Sequence, residues 1–267
     1  MCEINQESLE KSTMKKILIL YFSGVGNTKY VAEYMYLSIK KQCVVDIRSI
    51  EEIDISFDFS QYNKIVLGTS TIHSEPAKPM KDFLKAIDSM KTPIPAFIFA
   101  TYGLYPENVL RVFAELCIAK NIVPVSYSGY RCSATDGILL VPTIIFFTKN
   151  EKYINKKIEN DINEFINEDK MNFNKPKYKW YGLLNYPNKW IGQHFHFKIF
   201  LHKKHCARCN KCVTNCPVGA IKRDHLGYPV IDRQKCINCY RCIHNCSDMA
   251  LSLFKKKRHK KTMKHKE

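Results

Sequence analysis

Apolar residues in the first part of the chain alternate between short continuous runs and helical spacing. The runs predict five buried strands, at residues 15–21, 43–47, 64–70, 95–101 and 122–127. Apolar residues three and four positions apart predict helices between and after them, with inward faces at Ala32, Met35 and Ile39; Met80, Phe83, Leu84 and Ile87; Val109, Val112, Phe113, Leu116 and Cys117; and Ile154, Ile158, Ile162, Phe165 and Ile166. This alternation favours an α/β domain with a doubly wound parallel sheet.

The first predicted strand runs directly into a loop with two glycines, Ser23-Gly24-Val25-Gly26-Asn27-Thr28. Glycines let the backbone curl around an anion, to which hydroxyls and the N–H groups of a helix N-terminus donate. A nucleotide P-loop is excluded because no Gly-Lys-Ser/Thr follows. A dinucleotide fingerprint is excluded because Lys29 occupies its third glycine position. We therefore interpret the loop as an anion site, with a tight turn of an ordinary α/β fold as the alternative.

Regular periodicity disappears over residues 169–204. This segment holds both tryptophans of the chain, and lysines separate many of its aromatic residues, which include Tyr178, Trp180, Tyr181, Tyr186, Trp190, Phe195, Phe197 and Phe200. Disordered linkers are poor in aromatic residues, so we expect an extended arm packed over a domain or over the cysteine-rich module. Interleaved Trp, Tyr and Lys also suit a membrane surface, but no amphipathic stripe accompanies them here.

Eight cysteines form the most specific pattern in the sequence. A C-x2-C-x2-C-x3-C run begins at Cys206 and ends before Pro217, and the same spacing returns thirty residues later. In such a run, three cysteines on one loop bind three irons of a 4Fe–4S cluster, and the fourth points at the other cluster. The spacing therefore predicts two clusters, one held by Cys206, Cys209, Cys212 and Cys246 and the other by Cys236, Cys239, Cys242 and Cys216.

Zinc and disulfide bonds are the alternative uses of these cysteines. Structural zinc is usually held by two separate C-x2-C pairs, whereas each run here has a third and a fourth cysteine at cluster spacing. Disulfides need an oxidising compartment, and the first apolar run, residues 17–22, is shorter than the core of a signal peptide. Because no run reaches the length of a membrane span either, we expect a cytoplasmic protein without a transmembrane segment.

The formal net charge of +17 is concentrated in the second half of the chain. Residues 1–150 carry 16 Lys and Arg against 15 Asp and Glu, and residues 151–267 carry 26 against 10. This excess predicts a positive field that attracts an acidic redox partner, with solvated lysines as the alternative. For the basic tail, residues 255–267, we expect no specific nucleic-acid binding because no nucleic-acid-binding fold accompanies it.

Two parts of the chain resemble known electron-transfer domains. Residues 205–254 closely resemble a bacterial two-cluster ferredoxin, with Ser247 at the position that corresponds to Pro217. The glycine loop is similar to the phosphate loop of short-chain flavodoxins, Ser/Thr-x-Thr-Gly-x-Thr, at Ser23, Gly26 and Thr28. Val25 departs from this pattern because it replaces a hydroxyl that donates to the FMN phosphate, and one such charge-assisted hydrogen bond is worth about 1.5–3 kcal/mol.

The resemblance to flavodoxins implies a five-stranded sheet of order 2-1-3-4-5, with FMN at the carboxyl ends of the strands. Two further loops, residues 69–74 and 101–105, would then surround the flavin ring. The candidate contacts in them are Thr69, His73, Thr101, Tyr102 and Gly103. Tyr102 is our candidate for stacking on the ring, and His73 for its rim.

Most of the chain resembles the flavodoxin–ferredoxin fusions of anaerobic bacteria, of the EFR1 type, and the resemblance is weakest over residues 167–204. The implied parts are an N-terminal extension (1–14), a flavodoxin-like domain (15–168), the arm (169–204), a small α+β two-cluster ferredoxin domain (205–254) and the tail (255–267). The implied function is a cytoplasmic electron carrier with two 4Fe–4S clusters and FMN. The alternatives are a flavin-dependent reductase of a small acceptor, and a ferredoxin whose first domain has lost FMN and serves in docking.

Overall fold

The computed structural model describes residues 15–106, 108–133, 151–168, 171–180 and 197–256, together with Thr135, Leu139 and Trp190. The predicted N-terminal extension, much of the arm and the tail beyond residue 256 lie outside these residues. Within the described part, no helix is both long and apolar enough to cross a membrane.

One mixed sheet forms the centre of the N-terminal domain. Its strands are β1 (Lys16–Tyr21), β2 (Val44–Ser49), β3 (Lys64–Ile72), β4 (Glu75–Pro76), β5 (Ile94–Tyr102) and β6 (Ile122–Arg131). The five long strands are parallel to their neighbours in the order β2-β1-β3-β5-β6, and the two-residue β4 pairs antiparallel with the end of β3. Among the long strands this is the predicted order 2-1-3-4-5, so the flavodoxin-like topology is confirmed.

Helices cover both faces of this sheet. One face carries α1 (Asn27–Ile39) and α4 (Glu151–Asn167), and the other carries α2 (Lys78–Ala86) and α3 (Val109–Ile118). Successive side chains of a strand point to opposite faces, so Ile17 and Ile19 of β1 pack with α1 and α4, while Leu18 and Leu20 pack under α2 and α3. The domain therefore has the predicted doubly wound arrangement, which leaves the carboxyl ends of the strands uncovered by these helices.

The C-terminal domain consists of two similar halves, each with a cysteine loop followed by a one-turn helix. A hairpin lies between the halves, and a second short antiparallel pair joins the two ends of the domain. Its elements are β7 (Phe200–Leu201), a 3₁₀ turn (Lys203–His205), α5 (Lys211–Thr214), β8 (Ile221–Arg223), β9 (Pro229–Ile231), α6 (Arg241–His244) and β10 (Leu251–Ser252). These small antiparallel sheets and helices agree with the predicted α+β domain.

The described part of the arm lies on the N-terminal domain. The Asn108 side chain, at the start of α3, accepts a hydrogen bond from Lys179 N (2.8 Å) and donates one to Lys179 O (3.1 Å). The Arg111 guanidinium lies 5.8 Å from the centre of the Tyr178 ring, and Asn174 N donates to Pro124 O at 2.9 Å. Residues 171–180 therefore follow the outside of α3 and β6.

Candidate functional site

The first three cysteines of one run lie together with the fourth cysteine of the other. Cys206, Cys209 and Cys246 are close enough to Cys212 to interact electrostatically with its thiol. These four side chains line one cavity of the C-terminal domain. We call them the outer group.

The remaining four cysteines form the inner group, which consists of Cys236, Cys239, Cys242 and Cys216. The Cys216 thiol interacts electrostatically with each of the other three, and all four line a second cavity. Burial raises the pKa of the Cys239 thiol to about 11. A metal bound there must therefore displace a firmly held proton. The two groups correspond to the crossed ligand sets predicted from the spacing, and ligation itself stays a prediction.

Left-handed backbone conformations shape both cysteine loops at corresponding positions. The φ angles are 55° at Arg208 and 53° at Asn238, which precede the second cysteine of each run. They are 69° at Asn210 and 57° at Tyr240, which follow it. Such angles are uncommon for residues other than glycine. Two of them in each loop bend the backbone tightly around the space between the cysteines.

Polar groups around the cysteines fit a cluster with acceptor sulfurs. Ala220 N donates to Cys216 Sγ and Ala250 N to Cys246 Sγ, both at 3.2 Å. The Nδ2 of Asn238 is buried and has no hydrogen-bond partner among the described residues. Across the same residues, no three His, Cys, Asp or Glu side chains converge closely enough to hold a single metal ion. The four cysteines of each group line one cavity, and with the N–H donors beside them they fit two 4Fe–4S clusters.

The predicted phosphate loop has a fixed conformation at the carboxyl end of β1. Gly26 has a φ of 108°, which favours glycine, and its N–H donates to Ser23 Oγ at 2.9 Å. The hydroxyl oxygens of Thr28 and Thr101 share a buried hydrogen bond of 2.8 Å, which joins the loop to the end of β5. The side chain of Asn27 is also engaged, because its Nδ2 donates to the backbone after β6, at Ser133 O, over 2.9 Å.

The first predicted ring loop is a tight turn between β3 and β4. His73 and Ser74 both have a positive φ, of 49° and 62°. The Thr69 hydroxyl is directed at the backbone of the same turn and accepts a hydrogen bond from Ala77 N at 3.2 Å. Sequence reasoning missed Ser70 and Thr71. Their buried hydroxyl oxygens have no partner in the part of the chain that the structure describes, so a bound flavin ring could supply one.

The second predicted ring loop follows β5. The Tyr102 ring lies against β6, because a Cβ built on Gly129 would be 3.0 Å from Tyr102 Cε1. Gly103 O accepts a hydrogen bond from Arg131 Nε at 3.1 Å. The register pairs Ser70 with Thr101, so the two ring loops are neighbours at one edge of the sheet. The structure therefore brings the phosphate loop and both ring loops to the carboxyl ends of adjacent strands, and their contacts with FMN stay a prediction.

Two protein-family models match separate parts of the chain. Residues 18–111 match the flavodoxin domain family, and residues 205–251 match the 4Fe-4S dicluster domain family. The chain joins a flavodoxin domain to a 4Fe–4S dicluster domain. The first match includes the phosphate loop and both ring loops, and the second includes all eight cysteines of the two groups. The predicted fusion and its predicted cofactors, FMN and two 4Fe–4S clusters, are confirmed at the level of these domains, while the EFR1 type stays a prediction.

Individual relatives cover only parts of the chain. The flavo-diiron protein FprA2 of Clostridium acetobutylicum is 30% identical over 131 residues, which cover 46% of this chain and 32% of the relative. A flavodoxin of Maridesulfovibrio salexigens is 29% identical over 79 residues, which cover 29% of this chain and 54% of the relative. The chain thus spans about a third and about half of these proteins. Among solved structures, flavodoxin 1 of Bacillus cereus is 18% identical with a TM-score of 0.45, covering 58% of this chain and 100% of that one.

The dicluster domain contacts the flavodoxin domain at the phosphate loop, chiefly through Arg241. Its Nη2 donates to Ser23 O at 2.6 Å, and its Nε donates to Gly24 O at 2.9 Å. Its Nη1 and Nη2 also donate to the two carboxylate oxygens of Glu51, at 2.8 and 2.7 Å. Burial opposes the charge on Arg241, but the hydrogen bonds and the charge of Glu51 outweigh it and raise the guanidinium pKa.

A cysteine of the inner group, Cys239, lies directly on the phosphate loop. A Cβ built on Gly24 would be 3.6 Å from Cys239 O and 3.7 Å from Cys239 Cβ. The backbones of Gly24 and Cys239 therefore lie close together, with room for little more than a methyl group between them. Nearby, His244 Nε2 lies 3.3 Å from Thr135 O. Beside this contact, a cleft of about 950 Å³ is lined by Glu51 and His73 of one domain and Cys236 of the other.

The outer group faces away from this contact. Cys209 is exposed, in contrast to the other seven cysteines of the two groups. Residues 203–211 contain four exposed basic side chains and no acidic one: Lys203, Lys204, Arg208 and Lys211. The solvent side of the outer group is therefore a basic surface.

Proposed function

We propose that the protein passes single electrons between an external redox partner and FMN through two 4Fe–4S clusters held in the same chain. When bound, the clusters supply one-electron chemistry, and FMN accepts up to two electrons. The inner group holds one cluster next to the flavodoxin domain, and the outer group holds the other next to solvent. The loop from Ser23 to Thr28, with Ser70 and Thr71, holds FMN.

The observation that carries this proposal is the contact between the inner group and the phosphate loop. Cys239 lies against Gly24 with no side chain between them, and Arg241 is hydrogen-bonded to the same loop. Because both domains belong to one chain, exchange between them needs no encounter of separate molecules. The exposed Cys209 supplies the complementary feature, since it makes the outer group accessible to a partner.

An acidic protein is the partner that the outer surface would attract. Its basic residues surround the exposed cysteine, and a field of one sign raises association rates with an oppositely charged partner. We place the protein in the cytoplasm, because that reducing compartment keeps cysteines available as cluster ligands instead of joining them in disulfides.

Anaerobic reconstitution with iron, sulfide and FMN tests the proposal. We expect about eight irons, eight sulfides and one FMN per chain, from two cubanes and one flavin site. Protein that carries both clusters but binds no FMN, even as Val25→Thr, would contradict the proposal. That result would leave the dicluster protein with a flavin-free docking domain.

Reduction of a small acceptor is a second candidate function, and the interdomain cleft favours it. The cleft reaches from His73 at the predicted flavin rim to Cys236 of the inner group, so an acceptor bound there would be near both cofactors. Steady-state reduction of small quinones and nitro compounds by the loaded protein tests this function. Turnover no faster than with free FMN would exclude it for those acceptors.

A further inference from the structure

Arg241 contacts the phosphate loop through backbone carbonyls. The carbonyl of Ser23 shares a peptide group with the N–H of Gly24, and the carbonyl of Gly24 shares one with the N–H of Val25. No cis peptide bond occurs among the described residues, and a trans peptide places its N–H opposite its carbonyl. The guanidinium on these two oxygens therefore directs the N–H groups of Gly24 and Val25 away from itself.

The flavodoxin domain holds this guanidinium in a defined orientation. Glu51 binds it through both carboxylate oxygens, and the Phe22 ring lies 5.4 Å from its central carbon. The Arg241 side chain is only 14% exposed. A planar guanidinium presents its donors as a rigid fork, whereas an ammonium group is a point charge that cannot match the same acceptors. The arginine is therefore fixed before any ligand enters the loop.

We propose that Arg241 completes the FMN phosphate site from the other domain. It fixes the peptide groups of Gly24 and Val25 so that their N–H groups bind the phosphate, which offsets the hydroxyl that Val25 lacks. A cation on a carbonyl also polarises the peptide and makes its N–H a stronger donor. Coupling is reciprocal, so bound FMN in turn strengthens docking of the dicluster domain. This role rests on the proposed binding of FMN.

The repeat in the dicluster domain provides a matched control. Lys211 precedes Cys212 as Arg241 precedes Cys242, but Lys211 is exposed on the outer group. Arg241→Gln and Lys211→Gln each remove one positive charge next to a cluster cysteine. We call the hydrogen bonds that Arg241 makes with Glu51 and the phosphate loop the clamp. Glu51→Gln weakens this clamp from the flavodoxin domain, without altering a cysteine loop. It keeps the test valid if Arg241→Gln loads its clusters poorly, which iron and sulfide analysis would reveal.

The first measurement is the FMN affinity of each cluster-loaded variant, determined from the quenching of flavin fluorescence on binding. We expect the Kd to rise about tenfold in Arg241→Gln, the effect of one charge-assisted hydrogen bond, and less in Glu51→Gln. Arg241→Lys should recover part of the affinity, and Lys211→Gln should match the wild type. Equal FMN affinity in the wild type, Arg241→Gln and Glu51→Gln would overturn the proposal.

Hydrogen exchange of the flavin-free, cluster-loaded protein separates the clamp from the flavin. Backbone amides of residues 22–28 should exchange faster in Arg241→Gln and Glu51→Gln than in the wild type, and not in Lys211→Gln. Unchanged exchange would overturn the clamp even where FMN binds. If no variant binds FMN, wild type and Val25→Thr included, the proposed flavin function fails and this role of Arg241 fails with it. The exchange data still report whether the domains are clamped.

Discussion

The two cysteine loops of the dicluster domain have nearly the same backbone and opposite surroundings. Positive φ angles recur at Arg208 and Asn238, and both fourth cysteines accept a hydrogen bond from an alanine N–H at 3.2 Å. Yet Cys239 of the inner group lies against Gly24, while Cys209 at the same position of the outer group is exposed.

This difference shows how a repeated motif acquires two roles. The cysteines and the bends of the loops are shared, because both halves need the same cage. The distinguishing residues lie between the cysteines, where Arg241 reaches the phosphate loop and Lys211 faces solvent. The half with Arg241 therefore packs on the flavodoxin domain. The half with Lys211 exposes its cysteine loop to solvent, where we propose that a partner binds.

Among the tests of this comparison, removal of the fourth cysteine of each run has the largest expected effect. Cys216→Ala should destroy mainly the inner cluster and Cys246→Ala the outer one, each with a loss of about four of the eight irons. Iron analysis together with EPR of the reduced protein measures this. If Cys216→Ala removed the cluster held by Cys206, Cys209 and Cys212 instead, the crossed assignment would be wrong.

A larger side chain at Gly24 should break the contact on the inner side alone. Gly24→Val places methyl groups beyond a Cβ that already touches Cys239, and overpacking of this kind costs about 1–3 kcal/mol. Docking should weaken, seen as faster hydrogen exchange at residues 22–28 and 239–242 of flavin-free protein. Gly24→Ala is the control, since its Cβ makes only ordinary contacts at 3.6 and 3.7 Å. Equal exchange in both variants would contradict close packing here.

A hydroxyl at position 25 should strengthen FMN binding to the phosphate loop, which the inner group contacts. Val25→Thr adds a donor to the phosphate, and one charge-assisted hydrogen bond tightens FMN binding about tenfold or more. Titration of flavin-free protein with FMN gives the two affinities. Riboflavin, which lacks the phosphate, is the matched control ligand and should bind both proteins equally. A gain that also appeared with riboflavin would place the effect away from the phosphate.

The rate at which an acidic donor reduces the protein through the outer group should depend on salt concentration, and this effect should be smaller than those above. Neutralising Lys204 and Lys211 together, both to Gln, should slow reduction by an acidic donor several-fold at low ionic strength. The loss should vanish as salt shortens the screening length, which is about 8 Å at physiological ionic strength. The same change at Lys85 and Lys91, exposed in the flavodoxin domain, should leave the rate unchanged. Stopped-flow rates indifferent to salt in every variant would mean that charge has no part in docking.

Hydrophobic periodicity was sufficient to predict the five long strands and the helices between them, because each depends on residues close in sequence. The strand order joins distant residues, and only the resemblance to flavodoxins predicted it. The cysteine spacing likewise predicted which thiols lie together, since three of each group share one short loop. The contact of Arg241 with Ser23 joins residues 218 positions apart, and no local pattern marks it. Nor does a pattern reveal that the Thr28 hydroxyl bonds to Thr101, or that Tyr102 packs on Gly129, because strand pairing decides both.

The most direct test of electron transfer within one chain is the rate of electron exchange between the clusters and the flavin, measured at different protein concentrations. The loaded protein is reduced by a short light pulse in the presence of a photosensitiser, and cluster and flavin absorbance are followed separately. Because the inner group is fixed on the phosphate loop, the exchange rate constant should be independent of protein concentration. A rate constant proportional to protein concentration, or a flavin that stays oxidised while both clusters are reduced by excess electrons, would contradict the account.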